Sequence, residues 1–324
     1  MCLYPTLIEN RRYKPNKKNN YNPEIPKDER VKFVPIGCGK CIECMKQKYN
    51  NWKVRLFEEL KASSKAYYIT LTIDNESYFN LQNKIDFKNV DKNGYRAQNM
   101  IMTKAIRLWL ERIRKETKKS VKHWLISELG PNSSERIHAH GIIFDTNDIE
   151  MNMNKWKYGM TYIGEYVNEK TINYMSKYMN KIDLKHKDYY PIILCSKGIG
   201  SNYLKSRNAK NNRYNENNTN ETYRTSTGHK LSLPIYYRNK IYNEEQREKL
   251  WLNKLDKEER YILGIKIDIS KDEKNYEDRL NYARKINKEL GYGTNELNND
   301  EEEYKKLREK IAYLTYRKKI EKKQ

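Results

Sequence analysis

Trp124-Leu125-Ile126-Ser127-Glu128, then Gly130-Pro131-Asn132-Ser133-Ser134, then Ile137-His138-Ala139-His140-Gly141-Ile142-Ile143-Phe144 read as strand, turn and strand. The outer runs are apolar with β-branched and aromatic residues, and the middle run breaks regular structure. So short a connection makes the two strands antiparallel neighbours. Residues two apart on a strand share a face, so His138 and His140 point the same way. Hairpin pairing brings Glu128, at the end of the adjacent strand, within reach of both imidazoles. Two nitrogens and one oxygen, with positions left open, suit a catalytic divalent ion. Two hydrogen-bonded core histidines would show the same spacing, and His-x-His alone does not separate the readings.

The neighbouring segments extend this hairpin into a sheet with helices. Residues 67–74 (Tyr-Tyr-Ile-Thr-Leu-Thr-Ile-Asp) read as a strand, and Gly159 to Tyr166 as a further one. Residues 46–62 read as a helix with Trp52, Val54, Leu56, Phe57 and Leu60 on its apolar face. Residues 100–116 read as another, with Ile101, Ala105, Leu108, Trp109, Arg112 and Ile113 in the buried stripe. This order predicts an α+β fold: an antiparallel β-sheet palm with flanking helices, an N-terminal cysteine-cluster extension and a helical C-terminal tail. The expected divisions are 1–62, a nuclease domain over 63–240 and a helical region over 241–324. Residues 1–35 read as irregular, 201–229 as a long polar loop, and Leu231 to Tyr237 as a returning strand. Residues 243–322 read as three helical segments, the last behind the acidic run Asp300-Glu301-Glu302-Glu303. Cys195, in Ile192-Ile193-Leu194-Cys195, reads as core.

A helix from Thr171 onward carries Tyr174-Met175-Ser176-Lys177-Tyr178-Met179-Asn180-Lys181. Tyr174, Lys177, Tyr178 and Lys181 fall on one face, and Ile172, Met175, Met179 and Ile182 on the other. A helix burying aromatic residues gives the same tyrosine spacing. A face of two phenols and two ammonium groups is a poor core, however, and suits a phosphate.

Cys38-Gly39-Lys40-Cys41-Ile42-Glu43-Cys44 contains two successive Cys-x-x-Cys steps. Three thiolates are one short of a structural zinc site, and Cys2 can be the fourth if the N-terminal segment folds back. A reduced cysteine-rich turn without an ion is the alternative. No further cysteine follows soon after Cys44, which favours zinc over an iron–sulfur cluster.

The chain of 324 residues has 65 Lys+Arg against 43 Asp+Glu, a net charge of +22, and a pI near 9.5. Such an excess predicts a polyanionic partner, most simply nucleic acid. The 28 tyrosines and abundant Lys, Asn and Ile have AT-rich codons, so codon bias contributes to the excess. No apolar run reaches membrane-spanning length, and Met1-Cys2-Leu3-Tyr4-Pro5 lacks the regions of a signal peptide, so the expectation is a cytosolic protein with no membrane partner. No Gly-x-x-x-x-Gly-Lys-Ser/Thr loop occurs, so unwinding of DNA would fall to another protein.

Together these residues resemble the HUH endonucleases that start rolling-circle replication, whose His-hydrophobic-His motif is met by His138-Ala139-His140. Ile69-Thr70-Leu71-Thr72 resembles that family's first motif, and Tyr174 to Lys181 its two-tyrosine branch. With Met1 to Pro5, the Cys38 to Cys44 cluster and Leu233-Pro234-Ile235-Tyr236-Tyr237, the chain is similar over roughly residues 1–240 to replication initiators of gokushovirus-type microviruses, small single-stranded DNA phages. The resemblance implies an HUH/RRM-like palm. It also implies a catalytic Mg2+ or Mn2+ at Glu128, His138 and His140, and attack by Tyr174 or Tyr178 through a 5′-phosphotyrosine intermediate. Lys177 and Lys181 would assist at the phosphate. The implied partners are the phage origin, as single-stranded and replicative-form DNA, and the host helicase and replication machinery, in the cytoplasm of an infected bacterium. A transposase or plasmid relaxase of the same superfamily would share the chemistry. A basic DNA-binding protein with zinc and no turnover is the reading of another class.

Overall fold

A computed structural model of the protein describes residues 1–130, 135–164, 166–179, 185–270 and 273–321. In chain order the elements are β1 (Thr6–Glu9), β2 (Phe33–Ile36), α1 (Ile42–Ala62), β3 (Ala66–Thr72), α2 (Asn75–Gln82), α3 (Tyr95–Thr117), β4 (Lys122–Leu129), β5 (Ile137–Phe144), α4 (Ile149–Asn154), β6 (Thr161–Gly164), α5 (Glu169–Lys177) and β7 (Ile193–Cys195). They continue with α6 (Arg207–Lys210), β8 (Thr222–Arg224), β9 (Lys230–Ser232), α7 (Ile235–Ile241), α8 (Glu244–Asp256), β10 (Glu259–Ile262), β11 (Ile265–Asp268), α9 (Lys274–Glu289) and α10 (Glu301–Glu321). The chain divides into two compact units. One comprises residues 49–209 and 223–234, the other residues 1–48, 210–222 and 235–324.

The first unit is built on a five-stranded antiparallel sheet of order β6-β3-β5-β4-β7. The two-residue period of its strands divides their side chains between two cores. On one face Ile69, Leu71, Leu125, Ala139 and Ile143 pack with Ile101, Ala105, Trp109 and Ile113 of α3. On the other, Trp124, Ile126, Ile142 and Phe144 pack with Leu56 and Phe57 of α1 and Ile172 and Met175 of α5. Strands buried on both faces read as nearly continuous apolar runs, as β4 and β5 do. Arg112, expected in the α3 stripe, is only half-buried, and its guanidinium donates to the Tyr158 hydroxyl at 2.6 Å.

The second unit holds the β1–β2 pair, the β10–β11 pair and helices α7 to α10. A small core joins Leu3, Tyr4 and Cys41 to Ile262, Ile267, Tyr276, Leu280 and Ala283. Arg30, almost wholly buried, donates to Asp28, to Asp256 at 2.7 Å and to Thr315 of α10 at 2.9 Å. A buried guanidinium needs such a full set of acceptors.

Several expectations change. Residues 1–35 are not all irregular, because β1 pairs with β2 through short segments that carry no strong alternation. The region 201–229 contains short helical turns and β8, which pairs with β9 on either side of the Gly228 turn. The returning strand ends at Ser232. Pro234 lacks the N–H a strand needs but sits well before a helix, and Ile235 to Ile241 is α7. Within 243–322 the β10–β11 hairpin interrupts the helices. It turns on Leu263 and Gly264, both at positive φ, as a two-residue hairpin turn requires. Cys195 is exposed at the end of the edge strand β7, not core. The expected turn falls on residues 131–134 and Lys181 and Ile182 on 180–184, outside the described residues.

Gly141, directly after His140, is where β5 approaches β4 most closely. A Cβ there would lie 2.3 Å from the Trp124 carbonyl oxygen and 2.3 Å from Leu125 Cδ2. The backbone oxygen cannot step aside without breaking the ladder. Gly141→Ala is therefore expected to destabilise the protein by about 1–3 kcal/mol through overpacking, read as a lowered melting temperature.

Candidate metal and tyrosine centre

The β4–β5 register sets Glu128 directly opposite His138, and the β3–β5 register sets Thr70 opposite His140. Opposite residues share a face, so Glu128, His138, His140, Thr70 and Tyr68 all lie on the face covered by α5. His138 Nε2 is 3.1 Å from His140 Nε2, and the Glu128 carboxylate is 3.5 Å from the first and 3.2 Å from the second. Ligands at right angles on an ion with bonds of about 2.1 Å stand about 3.0 Å apart, so the donor set fits a divalent ion. All three side chains are mostly buried yet reach the surface, which leaves room for a substrate oxygen.

Further contacts orient the imidazoles. His138 Nδ1 lies 3.2 Å from the Arg136 carbonyl, so Nδ1 carries the proton and Nε2 offers its lone pair to the donor cluster. His140 Nδ1 is within 2.7 Å of the Tyr68 hydroxyl and 2.9 Å of Thr70 Oγ1, which leaves its Nε2 toward Glu128. Burial pushes the Tyr68 phenol above its ordinary pKa.

Helix α5 starts at Asn168, whose side chain accepts from the Thr171 N–H in a capping box. Ile172, Met175 and Met179 bury against the sheet, which fixes the helix rotation and sends Tyr174 and Tyr178 toward the histidines. The Tyr178 ring stacks on His140, with centroids 4.9 Å apart and planes 13° from parallel. The Tyr178 hydroxyl donates to the Tyr174 oxygen at 2.8 Å. Tyr174 is exposed, as is Lys177, while Tyr178 is half-buried as the residue that ends the helix. Burial, the bond to Tyr174 and the negative charge of Glu128 all push the Tyr178 phenol above its ordinary pKa. Tyr162 of β6, exposed, meets Tyr68 edge to face at 6.4 Å. A run of rings therefore extends from Tyr162 through Tyr68 and His140 to Tyr178 and Tyr174.

Tyr68, Thr70 and Tyr162 were not among the site residues the sequence suggested. Their only local signal is strand alternation, Tyr68 and Thr70 standing two apart on β3. Lys181 lies outside the described residues.

In the other unit Cys2, Cys38, Cys41 and Cys44 bring four sulfurs within 4.8 Å of one another. Cys38 and Cys44 Sγ are 3.9 Å apart, as are Cys2 and Cys41 Sγ. Four thiolates on zinc at about 2.3 Å stand about 3.8 Å apart, so the set fits a tetrahedral ion. Backbone N–H groups of Leu3, Cys38 and Cys41 point at the sulfurs, as acceptors carrying thiolate charge require.

Among the described residues no helix is long and apolar enough to cross a membrane. No curated protein and no solved structure matches the chain. Residues 66–183, which run from β3 through α5 and hold Glu128, His138, His140, Tyr174 and Tyr178, match the family described as replication-associated protein ORF2, a similarity that supports a rolling-circle replication initiator family.

Proposed function

We propose that this chain is a rolling-circle replication initiator that nicks and joins single-stranded DNA through a phosphotyrosine. The observation that carries the reading is the stacking of Tyr178 on His140, because it sets a nucleophile beside a three-donor metal site. A Mg2+ or Mn2+ ion held by Glu128, His138 and His140 would supply positive charge to the scissile phosphate and offset the carboxylate that raises the phenol's pKa. The Tyr178 oxygen attacks phosphorus, the phosphorus–O3′ bond breaks, the phenol loses its proton and the leaving 3′ oxygen gains one. The free 3′-hydroxyl primes synthesis. The phosphotyrosine keeps the energy of the broken bond, so joining needs no nucleotide. Tyr174, one helical turn away and bonded to Tyr178, is placed to make the second attack after one circuit. Exposed Lys177 is the cation on the same helix that would meet a phosphate. Tyr162 offers its ring to a base of the incoming strand. The DNA would be a phage origin, read in the cytoplasm of an infected host with help from a host helicase. The nuclease domain would span 63–240, with a helical region over 241–324.

The cysteine cluster serves a structural role in this reading. Purified protein is expected to hold about one zinc per chain, with the four thiolates closing the coordination sphere. Cys41→Ser is expected to lower the melting temperature and the zinc content together. Metal analysis that finds no zinc in anaerobically purified, folded protein would remove this site.

His140→Ala is expected to lower nicking of circular single-stranded DNA by on the order of 10²-fold or more, with the fold and DNA binding intact. A chelator should reproduce the loss and added manganese should reverse the chelator. A His140→Ala protein that nicks normally contradicts a ligand role.

Tyr178→Phe and Tyr174→Phe remove one hydroxyl each and keep the ring packing. On a short origin oligonucleotide, Tyr178→Phe is expected to lose most of the SDS-resistant adduct. Tyr174→Phe should keep the adduct but fail to release unit-length circles. The double variant should form none, and an adduct on it would place the nucleophile elsewhere.

A further inference from the structure

Helix α3 presents two different stripes. Ile101, Ala105 and Trp109 are fully buried against the sheet. The opposite stripe follows the helical period through positions 96, 100, 104, 107, 111 and 114, and four of these are Arg96, Lys104, Arg107 and Arg114, all exposed. Over that span the stripe is about 27 Å long.

Two cavities of about 690 and 640 Å³ open along this stripe and adjoin at Arg107, which lines both. The first is also lined by Lys84, Arg96, Lys104 and Tyr190, the second by Arg114 and Lys197. Asp86, Asp188 and Glu111 are the acids of this lining, and Glu111 is paired with Lys115. Among the described residues, Lys84, Arg96, Lys104, Arg107, Arg114 and Lys197 have no carboxylate in ion-pair contact. Buried arginines of this chain, Arg30, Arg284 and Arg308, by contrast each meet a carboxylate. Aligned, exposed and unneutralised cations repel one another, and a polyanion is the partner that relieves that repulsion. The groove lies on the α3 side of the sheet, whereas the histidines and tyrosines lie on the α5 side.

We infer that this groove binds the sugar–phosphate backbone of a single DNA strand outside the scissile segment. Arg96, Lys104 and Arg107 would meet successive phosphates, and the apolar floor of Met100 and Ile192 with exposed Tyr190 would take unstacked bases. A duplex keeps its bases inside and would leave that floor uncovered. The inference extends the proposed nicking function to the flanking DNA, and its test reads binding, which does not depend on catalysis.

The test compares the full-length protein with its Arg96→Ala/Lys104→Ala/Arg107→Ala variant in fluorescence anisotropy across a salt series. The probes are a long single strand and a short oligonucleotide confined to the scissile site. Affinity for the long strand should fall on the order of tenfold, with the salt slope reduced by about 0.7 per lost contact, about 2 in total. Affinity and adduct formation on the short oligonucleotide should stay unchanged. A Lys14→Ala/Lys17→Ala/Lys18→Ala variant removes the same charge elsewhere and should keep the wild-type slope. Lys104→Glu, at an exposed position, reads the same loss if the triple variant does not fold. Unchanged long-strand binding overturns the inference, as does an equal loss in the control or preferred binding of an acidic peptide. Failure of adduct formation in the wild type with the long-strand effect intact would overturn the catalytic reading and leave the groove standing.

Discussion

The register between β4 and β5 is the constraint on which the site depends. A strand alternates its side chains with a period of two, so one residue of slip would carry both histidines into the α3 core and bring Ala139 to the surface. Ile137, Ala139 and Ile143 on one side and Ile142 and Phe144 on the other both seek burial, and only one register satisfies both. Gly141 fixes the same register sterically, since only a residue without a Cβ allows Trp124 and Leu125 so near. Packing, which is not chemical in itself, thus places Glu128 opposite His138.

The second constraint is the rotation of α5. Its apolar residues enter the same core that β4 and β5 expose on the donor face, so the phenols must emerge beside the imidazoles. The result is a phenol held near a carboxylate and partly out of water, a combination that opposes its ionisation. The apolar packing that sets Tyr178 in place therefore also makes it a weak nucleophile until positive charge arrives. That dependence ties the donor cluster to the tyrosine more tightly than proximity alone.

Charge is distributed in two ways in this chain. In the unit carrying the cysteines, basic residues are consumed by structure. Arg30 gathers Asp28 and Asp256, Arg308 meets Glu273 and Glu277, and burial would be costly without those partners. Along α3 the bases stay exposed and unneutralised, and there they define a surface rather than a fold. A net charge of +22 by itself does not distinguish the two uses.

The sequence by itself determined what depends on local period. The His-x-His pair, Glu128 across a short connection, the paired tyrosines and the α+β class all rest on spacings within one element or one hairpin. The cysteine cluster was legible for the same reason up to Cys44, with Cys2 joined only if the chain folded back, as it does. Tertiary structure alone decided the rest. Tyr68 and Thr70 reach His140 because β3 pairs with a strand far along the chain, and no local pattern encodes that partner. The polar β8–β9 pair and the β10–β11 hairpin lacked alternation strong enough to announce strands. Cys195 looked like core because its neighbours are apolar, but an edge strand has one unpaired side, and that placed it at the surface. Local sequence sets which way a side chain can point, and only the packing of distant segments sets what it meets there.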